Sequence, residues 1–533
     1  MHGNNHESNI EPPAGSADSG FAKQDDGQTV DLAIVGGGVS GLATAYYARK
    51  YWAEADGSGN PRSLRLALFE ASDRFGGKVQ TEVVDTGGAT PFIVEAGPDS
   101  FLTQKPWALQ LAQELGLGDA LMGTNDYRRK VYVLQGGRLL PMPDGLQLIV
   151  PTRLLPFLRS PLISPLGKLR MALDLMLPRK QDDRDETLAD FVTRRLGREA
   201  LDKLAEPLMS GIYSAEADRQ SILATFPRFR ELERIHGSLI RGILAGAAAR
   251  KQAASPSPQN QTGSSQTAPR SVFITPVLGT HELIRRLVSE LGEQAQAGVA
   301  VQKIAARQDA AGYTLTLANG TQVHANAVVV AVPAPTAARL LGELAPDSAA
   351  RLASIRHVST VTLTLAYAPD AVPHAMDGFG VVIPQSEQRD INAITWTTRK
   401  FDQRAPDGHH LIRVFLGGSR NPEILAHDDE TLLAIAQREL AAIMGVTAPP
   451  LFHRLFRWQD ASPQYDVGHL EMVDAIEAGL PPQLFVTGSP YRGIGIPDCV
   501  HQAQNTARQF VDTYSDTPIK ARASALTEPS AIH

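Results

Sequence analysis

Short runs of consecutive aliphatic residues alternate along this chain with longer stretches in which apolar positions recur every three or four. Residues 31–35 (DLAIV), 65–69 (RLALF), 327–332 (AVVVAV) and 484–487 (LFVT) are short aliphatic runs with at most one polar residue at an end, too short for helices, the pattern of strands buried in a sheet. Residues 280–293 place Leu283, Ile284, Leu287, Val288 and Leu291 on one helical face, with Thr280 positioned to cap. The stretch YTLTLANGTQVHANAVVVAVPAP (313–335) predicts two short strands around the turn pair Asn319-Gly320, then a further buried strand ending at Pro333. Strand and helix signals alternate, which predicts an α/β fold. From about residue 148 to 245 strand signals thin out, and LGKLRMALDLML, TLADFVTRRLG and ALDKLAEPLMSGI predict a mainly helical lobe.

Composition narrows the class. Of 533 residues, 43% are hydrophobic and 20% charged, the balance of a folded protein with several domains. The formal charge of −6 gives no basic excess to neutralise phosphates, so a nucleic-acid partner is not expected. One cysteine, Cys499, excludes an intramolecular disulfide framework and an all-cysteine metal site. None of His236, His281, His324, His453, His469 and His501 forms an HExxH-like pair, and a Gly-x-Ser-x-Gly elbow is missing. The opening MHGNNHESNIEPPAGSADSG lacks the basic start and apolar run of an export signal, and no apolar run reaches the length of a membrane span. A cytoplasmic protein, soluble or at most peripheral, is the expectation. Polar tracts at 1–28, 251–270 and 515–533 hold too few aliphatic residues to offset the entropy of ordering, and predict a tail, a flexible loop and a second loose end.

The most informative stretch is DLAIVGGGVSGLATAYYARK (31–50), where a buried strand runs into Gly36, Gly38 and Gly41 at GxGxxG spacing and then into a helix of small residues. Gly36 permits the tight turn, Gly38 lets a pyrophosphate approach the backbone, and Gly41 lets helix and strand close together. Gly37, Val39 and Ser40 complete a turn whose helix start offers unpaired N–H groups to an anion. The next strand ends in Glu70 and Ala71, placed to meet the hydroxyls of an adenosine ribose and to repel a 2′-phosphate. A solvated strand-end carboxylate is the plainer alternative. The intervening YWAEADGSGNPRS (51–63) reads as a surface loop. Near the C-terminus, LFVTGSPYRGIGIPDCVHQAQNTARQF predicts a strand, a glycine loop and a helix with Pro497 in its first turn. Such a helix end presents partial positive charge that could stabilise an anion held there. Cys499 lies in this helix, as a small core residue or, less simply, as a covalent attachment point for a cofactor.

With ASDRFGGKVQT (71–81), EAGPDSFLTQKP (95–106), EPLMSGIYSAEADRQSILATFPRF (206–229), FITPVLGTHELI (273–284), RWQDASPQYDVGH (457–469) and GSPYRGIGIPDCVHQA (488–503), the chain resembles the FAD-dependent amine oxidase superfamily over about residues 29–514. Within it the likeness is to the oxygen-dependent protoporphyrinogen and coproporphyrinogen III oxidases, above all the bacterial coproporphyrinogen branch. The resemblance implies a Rossmann-like FAD-binding domain assembled from 29–120, 271–335 and 452–514, an α+β substrate domain from 121–150 and 336–451, and the helical lobe at 151–250.

It further implies non-covalent FAD touched by Lys78, Gly97, Pro98, Asp99, Ser100, Val301, Trp458, Ile494, Gly495 and Ile496, and a porphyrinogen oxidised at the expense of molecular oxygen. Val382 and Phe401 match positions that pack on the macrocycle, and Lys105, Arg129, Lys130 and Arg399 are candidate partners for its carboxylates. Animal and plant protoporphyrinogen oxidases carry an arginine where this chain has Val131, which points to coproporphyrinogen III rather than protoporphyrinogen IX. Handover of product to a haem-pathway chelatase would follow. In membrane-associated relatives the helical lobe lies on a bilayer, and Arg153, Arg159, Lys168 and Arg170 could meet headgroups; burial of the leucines between them as lobe core is the simpler expectation. Two rivals stand beside this reading. An FAD amine oxidase would share the N-terminal unit but usually places aromatic residues in the C-terminal segment, and a non-catalytic flavin-binding protein would bind flavin without turnover.

Overall fold

The computed structural model describes residues 29–56, 63–88, 90–147, 149–151, 153–213, 216–253 and 271–515. The polar tracts at 1–28, 254–270 and 516–533 therefore lie outside the described residues. Two large sheets organise the rest.

In the first, Thr29–Val35 lies between Leu66–Phe69 and Gln322–Val330, all three parallel. Ala295–Gln296 extends the sheet beyond Leu66–Phe69, and Leu484–Val486 adds in parallel to the far end of Gln322–Val330. Tyr313–Leu317 and Val301–Ala306 form an antiparallel edge. Leu32, Ala33 and Ile34 are fully buried, because helices cover both faces. Val39–Asp56, His281–Leu291 and Ile496–Ser515 pack on one side, and Ala334–Leu341, Pro346–Ser354 and His469–Ala478 on the other. A parallel sheet covered on both faces needs the unbroken aliphatic runs seen in the sequence, and the arrangement is Rossmann-like.

Four details differ from the sequence pattern. Gln322–Val330 is one continuous strand of nine residues. Its first half closes the hairpin and its second half enters the parallel sheet, so the hairpin partner and the buried strand are the same element. Val39–Asp56 carries six residues of the expected surface loop as helix. Leu239–Ala253 likewise continues through residues 251–253. Thr280 does not cap: its N–H and Oγ1 both donate to Glu95, at 2.8 and 2.9 Å.

The second sheet runs Phe452–Pro463, His357–Tyr367, His410–Gly417, Ile391–Trp396, Gly380–Val382, Val131–Gln135 and Arg138–Pro141. Alternation gives it two distinct faces. Val361, Leu363, Ile394, Ile412 and Val414 pack against Leu432, Ile435 and Leu440 of the helix Asp429–Met444. Val133, Val382, Ala393, Phe415, Arg413 and Thr362 share the opposite face, as their pairing register shows. That face meets residues 96 and 97 at one end and the helical lobe at the other.

The lobe closes around Phe191, Val192, Leu196 and Leu204. It also holds an ionic network in which fully buried Arg195 donates to Asp174 at 2.6 Å, and fully buried Glu233 accepts from Arg194 and Arg230. Such charges survive burial because each carboxylate collects several donors. Most of the interleaved leucines are not lobe core. Leu155, Leu158, Leu166, Leu169, Leu173 and Met176 are exposed, Leu166 at 79% and Met176 at 83%. The short helices Leu154–Arg159 and Pro165–Ala172 turn Phe157 and Met171 inward instead, and the bend between them buries Leu162 and Ile163.

Candidate active site

At the end of Thr29–Val35, Gly36 has φ of +110°, and a Cβ there would meet Ala331 O at 2.6 Å. A Cβ on Gly41 would sit 1.9 Å from Gly36 O, whereas nothing lies within 4 Å of the corresponding point on Gly38. Gly36 and Gly41 are thus needed for packing, and Gly38 faces open space into which an anion can come. Val39 and Ser40 begin the helix, and the first of its amides to find a carbonyl is Leu42, which donates to Gly38 O at 3.0 Å. The carboxylate of Glu70 closes the turn from the next strand: Oε2 accepts Gly37 N–H at 2.7 Å, and Oε1 accepts from Ser72. Ala71 beside it is exposed. Buried Val301 is brought near by its neighbour Val299, which donates to Glu70 O at 2.8 Å.

The remaining candidates gather beyond the open side of this turn. A Cβ on Gly97 would lie 1.9 Å from Lys78 O, so these two backbones touch. Lys78 Nζ lies 3.3 Å from Ser489 Oγ in the C-terminal glycine loop, and burial lowers its pKa. Tyr465 pins that loop by donating to Ser489 O at 2.6 Å and accepting Gly493 N–H at 2.9 Å. Ile494 and Gly495 then lead into Ile496–Ser515, with Pro497 in the first turn as the sequence predicts. Asp498 in the same turn suits the helix dipole but would screen its positive end from a second anion, and Lys105 Nζ, 2.7 Å from each of its carboxylate oxygens, offsets that charge. Cys499 is buried and burial pushes its thiol up to about 11, which keeps it protonated.

On the sheet side, Trp458 Nε1 donates to Ala96 O at 3.0 Å. Asp99 is bonded by Lys400 Nζ at 2.8 Å and by Ser100 Oγ at 2.7 Å. Burial works against its charge but is outweighed by Lys400 and Arg413, which hold its carboxyl near pKa 2. Pro98, between Gly97 and Asp99, accepts from Thr280 Oγ1 through its carbonyl.

The substrate candidates separate. Val382 lies on the face turned toward the lobe. Phe401 is only 1% exposed, with Lys400 and Arg404 against its ring, so it supports a charge cluster instead of presenting a free wall. Lys105 is engaged by Asp498 and Lys130 by Asp377, and neither is a free cation for a carboxylate. Arg129 is exposed over the ring of Phe273, which it shares with Lys400, and among the described residues no carboxylate pairs with it. Arg399 has a buried Nε with no acceptor and borders a polar cavity of about 640 Å³ with His374, His409 and His410.

A family model for flavin containing amine oxidoreductases matches residues 39–510. The chain belongs to this family. It is 34% identical over 477 residues to the coproporphyrinogen III oxidase of Bacillus subtilis (strain 168), covering 89% of this chain and 96% of that one. To the protein of the same name from Propionibacterium freudenreichii it is 35% identical over 519 residues, covering 93% and 94%. The crystal structure of an Exiguobacterium sp. 255-15 protein that carries the name of a protoporphyrinogen oxidase superposes with a TM-score of 0.76 at 29% identity, covering 91% of this chain and 99% of that one.

As a flavin containing amine oxidoreductase, the protein offers residues that fit the cofactor: an open glycine turn at Gly38 for phosphates, and beyond it a region bounded by Lys78, Gly97 and the start of the last helix. Four contributors escape a reading of motifs: Thr362, Arg413, Ala393 and Phe415. The signal for Arg413 was its place in LIRVFLG, where an arginine interrupts a buried strand.

Proposed function

We propose that this protein is an oxygen-dependent coproporphyrinogen III oxidase of haem biosynthesis, working with non-covalent FAD. One observation carries the reading: likeness over about nine-tenths of the chain to relatives named for this reaction. Gly36, Gly37, Gly38, Val39, Ser40 and Gly41 would hold the pyrophosphate, Glu70 and Ala71 the ribose, and Val301 the adenine. Lys78, residues 97–100, Trp458, Ile494, Gly495 and Ile496 would border the ring system.

The cofactor supplies a two-electron acceptor that oxygen regenerates. Oxidation to coproporphyrin III removes six hydrogens in three rounds, with three molecules of oxygen leaving as three of hydrogen peroxide. The chain's own work is to bind and to exclude water. Val382, Ala393 and Phe415 offer an apolar floor for a flexible macrocycle, and Arg129 and Arg399 remain available for its propionates. Four propionates on coproporphyrinogen, against two on protoporphyrinogen, reward such cations by roughly 1.5–3 kcal/mol each. Val131, on the same sheet beside Gly380, offers no such charge where animal and plant protoporphyrinogen oxidases place an arginine.

Among the described residues no helix is long and apolar enough to cross a membrane. The exposed leucines of the lobe, with exposed Arg153 and Arg159 among them, suit a shallow seat on an anionic leaflet facing the cytoplasm. From there the product would pass to a haem-pathway chelatase.

The test is the purified protein with both porphyrinogens. Anaerobic bleaching of a yellow protein by coproporphyrinogen III, recovery in air, and a higher kcat/KM than for protoporphyrinogen IX are expected. Equal efficiencies, or a preference for protoporphyrinogen IX, would reassign the substrate; a flavin that no porphyrinogen bleaches would remove the oxidase reading.

A further inference from the structure

Three donors from three adjacent strands converge on one backbone carbonyl. Ala96 O accepts from Thr362 Oγ1 at 2.7 Å, Arg413 Nη2 at 2.9 Å and Trp458 Nε1 at 3.0 Å. The same Nη2 also reaches Gly97 O at 2.6 Å. A carbonyl has two lone pairs, and the threonine and the tryptophan already serve them. A guanidinium as third donor brings a charge whose burial costs several kcal/mol before any pairing, a cost that the nearby carboxylates of Asp99 and Glu95 offset only in part. Arg413 is 5% exposed, and its Nε has no acceptor.

Its position does have a geometric use. The guanidinium lies over the ring of Phe415, 4.8 Å from the centroid, two residues along the same strand and on the same face. One side chain therefore touches both the loop that backs onto Lys78 and the sheet face that continues through Ala393 to Val382. A peptide unit directs its N–H opposite to its C=O. With Ala96 O drawn to the sheet, the Gly97 N–H is turned away from it.

We propose that Arg413 is a positioning residue: by holding the carbonyls of Ala96 and Gly97 against the substrate sheet it fixes the separation between the flavin-bordering loop and the porphyrinogen floor. The inference rests on the flavin oxidase reading given above. Arg413 need touch neither flavin nor substrate to act, because displacement of a reacting pair by about 1 Å costs on the order of 100-fold in rate.

The experiment follows anaerobic bleaching of the bound flavin by coproporphyrinogen III in single turnovers, for wild type, Arg413→Lys, Arg413→Met, Thr362→Val and the double variant Arg413→Lys/Thr362→Val. Flavin content, visible spectrum and Tm are recorded for each. Arg413→Met is expected to keep its flavin with a shifted spectrum, to lose about 100-fold in limiting bleaching rate, and to keep half-saturation within about threefold. Lysine should restore about tenfold of the loss, and the double variant should lose more than the product of its singles, because both residues act through one carbonyl. A limiting rate within about threefold of wild type in flavin-loaded Arg413→Met overturns the proposal. So does a loss that follows flavin content alone and that lysine leaves unrelieved. If Arg413→Met does not fold, multiplicative behaviour of the lysine and valine variants overturns it instead. A wild type that holds no flavin, or holds one that the porphyrinogen cannot bleach, brings down the oxidase reading and this inference with it; a normal wild type with equally fast variants brings down only the inference.

Discussion

Lys105 and Asp498 form an ion pair, with Nζ at 2.7 Å from both carboxylate oxygens, across the first turn of the helix Ile496–Ser515. The lysine is thus a counter-charge that protects the positive end of a helix from its own aspartate. Lys105→Met should lower the midpoint potential of the bound flavin by roughly 10–20 mV, the size expected for a partly exposed pair contributing about 0.5–1 kcal/mol. Half-saturation by coproporphyrinogen III should stay within about twofold. A large rise in KM at unchanged potential would return Lys105 to the role of propionate partner.

The glycine turn tolerates no side chain at residue 41, where a Cβ would lie 1.9 Å from Gly36 O. Gly41→Ala should be purified with less than about a tenth of the wild-type flavin. Glu70→Ala removes the acceptor of the Gly37 N–H and should raise the Kd of the apoprotein for FAD about tenfold, the effect of one charge-assisted hydrogen bond. Fluorescence titration of the apoprotein checks both.

Asp99 gives a pH dependence with a definite sign. Its carboxyl moves from an ordinary 3.8 to about 2 on folding, against burial and under the influence of Lys400 and Arg413. A depressed carboxylate stabilises the fold above its unfolded pKa, and this contribution fades as the pH falls from about 4 to 2. Asp99→Asn should therefore cost about 2 kcal/mol or more at pH 7, where Lys400 also loses its partner. Urea unfolding of the two proteins should converge toward pH 2.

Cys499, whose thiol burial pushes up to about 11, should not serve as a flavin anchor. Acid precipitation should release all of the yellow colour, and Cys499→Ala should retain flavin stoichiometrically. Alkylation of the native thiol at pH 8 should run about 100-fold slower than that of an unperturbed cysteine, in proportion to its thiolate fraction.

What was legible in the sequence depended on how locally each feature is encoded. The glycine turn occupies six consecutive residues whose spacing already states its geometry, and Pro497 marks its helix start by its own fixed φ. The parallel sheet was legible because burial on both faces leaves aliphatic runs without alternation. The grouping of Thr362, Arg413 and Trp458 on Ala96 was not, since it brings together four distant segments and alternation alone does not say which face of a strand is turned inward. Lys105 and Asp498 are separated by 393 residues, so a lysine that reads as an available cation turned out to be engaged. The lobe's leucines misled for a related reason. Apolar spacing on short helices specifies one buried face but not which of two apolar faces that is, and Leu166 and Leu169 fell outside while Met171 fell inside.

The pairing of Val330 with both Val35 and Val486 ties together segments about 450 residues apart. A ribosome releasing this protein has displayed the glycine turn long before the strand Leu484–Val486 that completes its sheet has emerged. Contacts of such sequence separation form late, after a large loop-closure entropy has been met. Until then the aliphatic edge of Gln322–Val330 is open to the wrong partners, a hazard for a chain of this length during synthesis. Cofactor capture that needs the finished sheet is thereby deferred until Leu484–Val486 has joined it, so a bound flavin reports that segments from residue 29 to residue 486 have come together.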